Sequence, residues 1–377
     1  MESGSEKMST YTILILINVR WWNATAFYAV NIGRILQKKG HKVIIGCNRT
    51  YPAYHVARSY GLKTVPLNFY GFNPFQLSNN FFKLLRLIKK EQIQIINSHR
   101  SEDHTFALLA KLITGVKLVV TRGDRRLISG NYLSRLRYKL CDAVILTCQS
   151  IFHQNDKIFL PMKKRVHIIY GSVDEDHFKI RKKKNQTLKK YKINPKKMIV
   201  GIVGRMDHVK DQFTFVMAAS LILQESAEVF FIITGKEEQI KEAELQNMLN
   251  DLEIDDHFIL LPEIKDIVEV IDLFDMGVIT SVASETISRV LLEYMYLGKP
   301  VIGTKINAIG EIIRPGVNGE LIKPKDYKSL AINIKKILKN KSLIEEYGNN
   351  SKRLYKENYS EDVFYKKYIE VFESVTS

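Results

Sequence analysis

What most constrains this chain is an alternation that runs through it twice. Short apolar stretches of strand length are separated by stretches with helical periodicity. The first set comprises Tyr11–Ile17, Lys42–Cys47, Ile93–Ile96, Lys117–Val120, Ala143–Leu146 and Val166–Ile169, with helices such as Tyr28–Lys39 and Phe81–Lys90 between them. The second set comprises Met198–Val203, Val229–Thr234, Phe258–Leu261, Gly277–Ile279, Pro300–Ile302 and Glu320–Ile322. Strands apolar on both faces that alternate with helices predict parallel sheets with right-handed crossovers. Two sets in 377 residues predict two doubly wound, Rossmann-like α/β domains. Facing each other, they would leave a cleft beyond the carboxyl ends of their strands, where ligands of such sheets bind. The expected division is residues 1–178, residues 179–359 and a C-terminal helix over 360–377 that returns to the first domain. The boundary is expected in Lys179–Lys197, which carries ten basic residues and no acidic one.

Composition narrows the class. Apolar residues make up 45% of the chain, as in soluble globular proteins. The apolar run Thr12–Ile17 is of strand length, far short of a membrane span, and lacks the flanks of a signal peptide. The first ten residues, MESGSEKMST, read as a leader. Cys47, Cys141 and Cys148 lack metal-ligand spacing and suit a reducing cytoplasm. The formal charge of +17 is concentrated early: residues 1–178 hold 26 Lys and Arg against 11 Asp and Glu. Such a field attracts phosphates or anionic headgroups. No nucleic-acid module accompanies it, which speaks against nucleic acid as a partner.

The chemistry-bearing residues follow strands. After Met198–Val203 come Gly204, Arg205 and Lys210, two cations near a helix start that can lie over a diphosphate. Around a later predicted helix, Ile287–Leu297, stand Glu285 at the mouth and Glu293 two turns in. A buried carboxylate needs a polar partner. Either the two carboxylates meet hydroxyls of one nucleotide-sugar, or Glu285 caps the helix and Glu293 meets a buried Lys or Arg. Gly298 is expected to stop the helix.

These stretches, Gly204-Arg-Met-Asp-His-Val-Lys210, Glu285-x7-Glu293, Leu297-Gly-Lys-Pro-Val-Ile302, Gly310–Ile322 and Val166–Phe178, resemble the retaining GT-B glycosyltransferases of family 4 over roughly residues 11–375. The resemblance implies that Arg205 and Lys210 hold the donor diphosphate. It implies that Glu285 holds the donor sugar beside the backbone N–H groups of Ile287, Ser288 and Arg289, and that Glu293 binds the ribose. It implies no metal and no cofactor beyond the nucleotide-sugar, and retention of configuration by same-face attack. The function expected is sugar transfer to a cell-surface glycan or glycolipid, of the lipopolysaccharide-core or lipid-linked type. The alternatives are a nucleotide-sugar epimerase or hydrolase, or a non-catalytic binder of nucleotide-sugars, on the same architecture.

The sequence departs from the family pattern near the acceptor. The loop after the first strand reads Asn18-Val-Arg-Trp-Trp-Asn-Ala-Thr25 without glycine, so Trp21 and Trp22 are candidates for sugar stacking or for the core. His99 matches one family histidine, and Arg122 stands where another is usual. The basic helix Phe81–Lys90 either packs on its sheet or lies on an anionic membrane, which would make a cytoplasmic enzyme peripheral to the inner face.

Overall fold

Both alternations form parallel sheets. The computed structural model describes residues 10–71, 73–180, 182–264 and 266–377. All but the last residue of the proposed leader lies outside them. Two compact units emerge. The first runs to Gly171 and resumes over Glu361–Ser377; the second is Ser172–Ser360.

In the first unit, seven parallel strands are β1 (Thr12–Leu16), β2 (Lys42–Cys47), β3 (Lys63–Pro66), β4 (Ile95–Ser98), β5 (Lys117–Arg122), β6 (Ala143–Leu146) and β7 (Val166–Ile168), in the order β3-β2-β1-β4-β5-β6-β7. Ile13 pairs with Val43 on one side and Ile95 on the other. Ile13, Leu14, Ile15 and Leu16 are all inaccessible to solvent, as a strand covered on both faces requires. The chain's last helix, Glu361–Thr376, belongs here. It buries Phe364, Tyr368 and Phe372, and its Glu361 carboxylate accepts from buried Arg34. Phe364 meets Tyr28 edge-on at 5.0 Å.

The second unit has six parallel strands: β8 (Met198–Val203), β9 (Val229–Thr234), β10 (Phe258–Leu261), β11 (Met276–Ile279), β12 (Val301–Thr304) and β13 (Gly319–Ile322), in the order β10-β9-β8-β11-β12-β13. Its core joins Val200, Phe215, Phe231 and Phe258 to Leu330 and Ile334. Strand order reverses between β1 and β4 in one sheet and between β8 and β11 in the other. At such a switch point the neighbouring loops part and leave a crevice.

Several elements differ from the sequence reading. Strand β3 was not anticipated. It is a short edge strand ending in Pro66, half-exposed, so it lacks an apolar run. The strand expected at Ile93–Ile96 sits two residues later, because polar Asn97 and Ser98 are buried in it. The basic stretch before β8 contains a helix, Lys184–Lys190. The units divide at Gly171, ahead of the expected residue 178. The segment after Gly171 packs with the second unit: the Tyr355 hydroxyl accepts from the Val173 amide at 3.3 Å and donates to Glu175 at 2.9 Å. The basic amphipathic helix spans Pro74–Glu91 and buries Leu84 and Ile88 in its own unit, beside the helix Ser101–Thr114. Its apolar face is thus packed, while Phe75 and Phe82 remain exposed. Among the described residues no helix is long and apolar enough to cross a membrane.

Candidate functional site

The second unit gathers its charged residues at the β8/β11 switch point. Strand β8 runs into Gly204 and Arg205. This turn is pressed against the loop after β9: a Cβ on Gly235 would fall 1.8 Å from the Gly204 carbonyl oxygen, so only glycine fits there. Arg205 is half-exposed. Its guanidinium contacts Glu238 at 2.7 Å and Asp207 at 3.0 Å. Asp207 is buried and also accepts from the Lys210 backbone N–H at 2.8 Å, which fixes the path from Arg205 to Lys210. Asp211 then caps the helix Gln212–Leu223 from a left-handed conformation, accepting from the Thr214 hydroxyl at 2.6 Å.

The loop after β11 closes on the same place. The Lys210 ammonium donates to the Glu285 carboxylate, and the Ser281 hydroxyl donates to the same oxygen at 2.7 Å. Thr280 donates to the Lys210 carbonyl at 2.8 Å, and the Val282 N–H donates to the Val209 carbonyl at 2.8 Å. Glu238, Arg205 and Asp207 form one charged group, and Lys210, Glu285 and Ser281 a second, joined to it through the Lys210 backbone N–H. Glu285 is only 5% exposed, and Lys210 answers its desolvation.

The helix beyond starts later than expected, at Arg289–Tyr296. Ser288 takes the N-cap position in a left-handed conformation, φ 45°, but its side chain makes no capping bond. Its hydroxyl has no partner among the described residues. The first N–H groups of a helix lack intrahelical acceptors, so this mouth suits an anion. Ile287 is buried just before it. One turn in, Glu293 is 3% exposed and accepts from Arg289 Nε at 2.7 Å. Its Oε2 has no partner among the described residues. Burial raises the Glu293 pKa, and Arg289 offsets part of that rise. Of the two sequence alternatives, the structure thus has Glu293 meeting an arginine, whereas Glu285 meets Lys210 instead of capping the helix. Gly298, φ 68°, follows the helix and ends it.

In the first unit the loops at the β1/β4 switch point are joined by buried polar groups. Asp103 accepts from the Asn18 N–H at 3.0 Å and from the Asn18 amide at 2.6 Å, and Asn18 Oδ1 accepts from the Asn48 N–H at 2.9 Å. His99 is buried and donates from Nε2 to Asn97 Oδ1 at 2.8 Å, because the Asn97 amide is already donating to Thr121 at 2.9 Å. His99 Nδ1 has no partner among the described residues. Trp21 is 64% exposed, while Trp22 is half-buried against Phe27 at 6.4 Å. Arg122 ends β5 and is folded onto the segment that follows. It donates to Asp124 at 2.9 Å, to the Tyr138 hydroxyl at 3.2 Å and to the Arg126 carbonyl. Sequence reading missed Asn18, Asp207 and Ser281, since a lone polar residue in a loop carries no periodic signal, and Asp103, a buried acid in the first turn of the helix Ser101–Thr114.

Burial sets the charge of this region. His99 and His104 are pushed down to about 3 by desolvation, and Asp103 is pushed up to about 7. Below pH 6.5 an unfolded chain protonates histidines that the folded chain keeps neutral, so stability falls as pH drops towards 3. Asp103 acts oppositely between its ordinary value of 3.8 and about 7, where the folded state holds the extra proton. Two histidines outweigh one aspartate, and the net effect is acid destabilisation. The variant His104→Leu is expected to reduce this slope by up to about 1.4 kcal/mol per pH unit between pH 6 and 4. Trp21 and Trp22 are the chain's two tryptophans, so fluorescence-monitored urea unfolding reads this unit. Equal slopes in variant and parent contradict the assignment.

Comparisons with known proteins bear on this arrangement. The family model described as Glycosyl transferases group 1 matches residues 183–354, and the model described as Glycosyltransferase Family 4 matches residues 25–177. The N-acetyl-alpha-D-glucosaminyl L-malate synthase of Bacillus anthracis is 23% identical over 364 residues, covering 91% of this chain and 92% of that protein. The UDP-Gal:alpha-D-GlcNAc-diphosphoundecaprenol alpha-1,3-galactosyltransferase of Escherichia coli is 24% identical over 265 residues, covering 66% of this chain and 67% of that one. The crystal structure of Anabaena HepE in complex with UDP superposes with a TM-score of 0.81 at 18% identity, covering 96% of this chain and 100% of that one.

Proposed function

This chain belongs to the group 1 and family 4 glycosyltransferases of the GT-B fold, and from that premise we propose a metal-independent, configuration-retaining sugar transfer from a nucleotide-sugar to a glycolipid or cell-surface glycan. One observation carries the reading. Lys210 and Glu285 are paired at the β8/β11 switch point, next to a helix mouth without a side-chain cap. In this proposal the donor diphosphate displaces part of the pairing and takes the charge of Arg205 and Lys210. It also meets the N–H groups near Ile287, Ser288 and Arg289. These positive groups serve where a divalent ion serves in other transferases. Glu285, released from Lys210, accepts from sugar hydroxyls, and Glu293 Oε2 accepts from the ribose. Gly204 keeps the backbone close to the phosphates.

The acceptor hydroxyl attacks on the face that the nucleotide leaves, and the departing phosphate takes its proton. The chemistry thus asks the protein for positioning and electrostatics and for no nucleophile. Trp21 is exposed for contact with an acceptor sugar, and the surplus of Lys and Arg in residues 1–178 suits a phosphate-bearing acceptor. UDP in the Anabaena structure and the lipid diphosphate acceptor in the Escherichia coli enzyme's name support a UDP-sugar and a lipid-linked acceptor. A lipid-linked acceptor brings the enzyme to the membrane surface.

Thermal unfolding against UDP-, GDP- and ADP-sugars tests the donor. The matching one at 100 times its Kd adds about 2.7 kcal/mol. Product analysis by NMR then reads the anomeric configuration. Full transfer by both Arg205→Glu and Glu285→Ala rejects the site, and an inverted product rejects the mechanism.

A further inference from the structure

Away from the charged network, the second unit holds a cavity of about 450 Å³, within the range of about 300–1,000 Å³ typical of small-molecule sites. Its wall is aromatic and aliphatic. Tyr296 lies edge-on to Tyr355 at 5.3 Å and to Phe178 at 6.0 Å, and Leu297 and Ile180 complete the apolar side. The Tyr355 hydroxyl is engaged with the Val173 N–H and the Glu175 carboxylate. Ile180 is 47% exposed.

The rim is cationic at one end. Lys352 and Lys356 stand one turn apart on the helix Lys341–Asn358, both exposed, and neither forms an ion pair among the described residues. Like charges at this spacing repel. Lys179 adds a third ammonium, 3.5 Å from Asp176. Glu175 is the acid of the lining, and its carboxylate accepts from Tyr355.

An apolar chamber with a pair of ammonium groups at its edge matches one kind of ligand. We propose that this cavity is a second binding site for a single-chain phosphate ester, with its hydrocarbon against Phe178, Tyr296 and Leu297 and its phosphate at Lys352 and Lys356. A phosphate monoester carries nearly two negative charges at neutral pH and can engage both lysines. A sugar phosphate lacks the hydrocarbon that would cover Phe178, Tyr296 and Leu297.

The test is calorimetric titration of the full chain with geranyl phosphate, beside geraniol, inorganic phosphate and phosphatidylglycerol vesicles. The site predicts one bound geranyl phosphate per chain. Affinity should fall by about tenfold or more in the variant Lys352→Glu/Lys356→Glu, which changes exposed side chains only and whose fold is checked by circular dichroism. Geraniol and inorganic phosphate should each bind at least about tenfold more weakly, since each lacks half of the recognition. The variant Lys210→Ala should bind geranyl phosphate like the parent. No binding, equal binding by the double variant, or geraniol binding as tightly as its phosphate overturns the proposal. Loss of binding in Lys210→Ala moves the ligand to the switch-point network and also overturns it. Binding to vesicles alone identifies surface adsorption and does the same.

Discussion

Replacing Lys210 with alanine is expected to slow sugar transfer by about a hundred- to a thousandfold, the usual cost of deleting one preorganised charge at a developing anion. The effect should fall on kcat, because the leaving diphosphate carries more charge in the transition state than in the bound donor. The same change strands Glu285, which is buried and loses its cation. Breaking a buried pair costs several kcal/mol, but Lys210 is partly exposed and Ser281 still donates, so a loss of about 1–3 kcal/mol is expected. The two consequences separate in the double variant Lys210→Ala/Glu285→Gln. Neutralising the orphaned carboxylate should restore much of the stability and none of the transfer. Urea unfolding and initial rates on one preparation decide it. Recovery of both together would make Lys210 a structural residue only.

The second large effect concerns Glu293. Its Oε1 is held by Arg289 while Oε2 has no partner among the described residues, and burial raises its pKa. With a folded-state pKa above the ordinary 4.5, the folded chain keeps this proton longer than the unfolded chain. Stability is therefore lost as pH rises through that window, and the loss persists at neutral pH. Glu293→Gln removes the ionisation. The ligand-free protein should be as stable as the parent or more so at pH 7.5, with the difference fading towards pH 4. Donor binding should move the other way. Loss of a charged acceptor for ribose hydroxyls is expected to raise the donor Kd by about ten- to a hundredfold. Thermal unfolding with and without donor, at both pH values, measures both signs. A variant that is less stable and still binds donor normally would assign Glu293 to packing.

These sites show what a sequence exposes. Most inner strands of both sheets were legible because burial on two faces leaves uninterrupted apolar runs, as in Met198–Val203 and Val229–Thr234, whereas β4 was read two residues early because it buries Asn97 and Ser98. Edge strand β3 was not, since half-exposure and Pro66 remove that signature. The eight-residue interval between Glu285 and Glu293 marked a helix mouth. It did not fix the start at Arg289, which depends on Ser288 entering a left-handed conformation that no propensity announces for serine. Nor did it say which cation meets which carboxylate, because Lys210 and Glu285 lie 75 positions apart and meet only through the sheet. The Asn18–Asp103 contact spans 85 positions for the same reason. Arg122 was legible as a cation just past the expected strand Lys117–Val120; it ends β5, and its engagement there follows from the turn bringing Asp124 and the Arg126 carbonyl to it.

The late arrival of Glu361–Thr376 has a bearing on biosynthesis. Residues 10–171 leave the ribosome first, yet Arg34 lacks the Glu361 carboxylate, and Tyr28 lacks the ring of Phe364, until Glu361–Thr376 is translated. Domains otherwise tend to mature in the order in which they are made. Here the central portion, Ser172–Ser360, is contiguous and can finish while the earlier one waits. A stop codon at position 361 therefore harms the part of the molecule synthesised first.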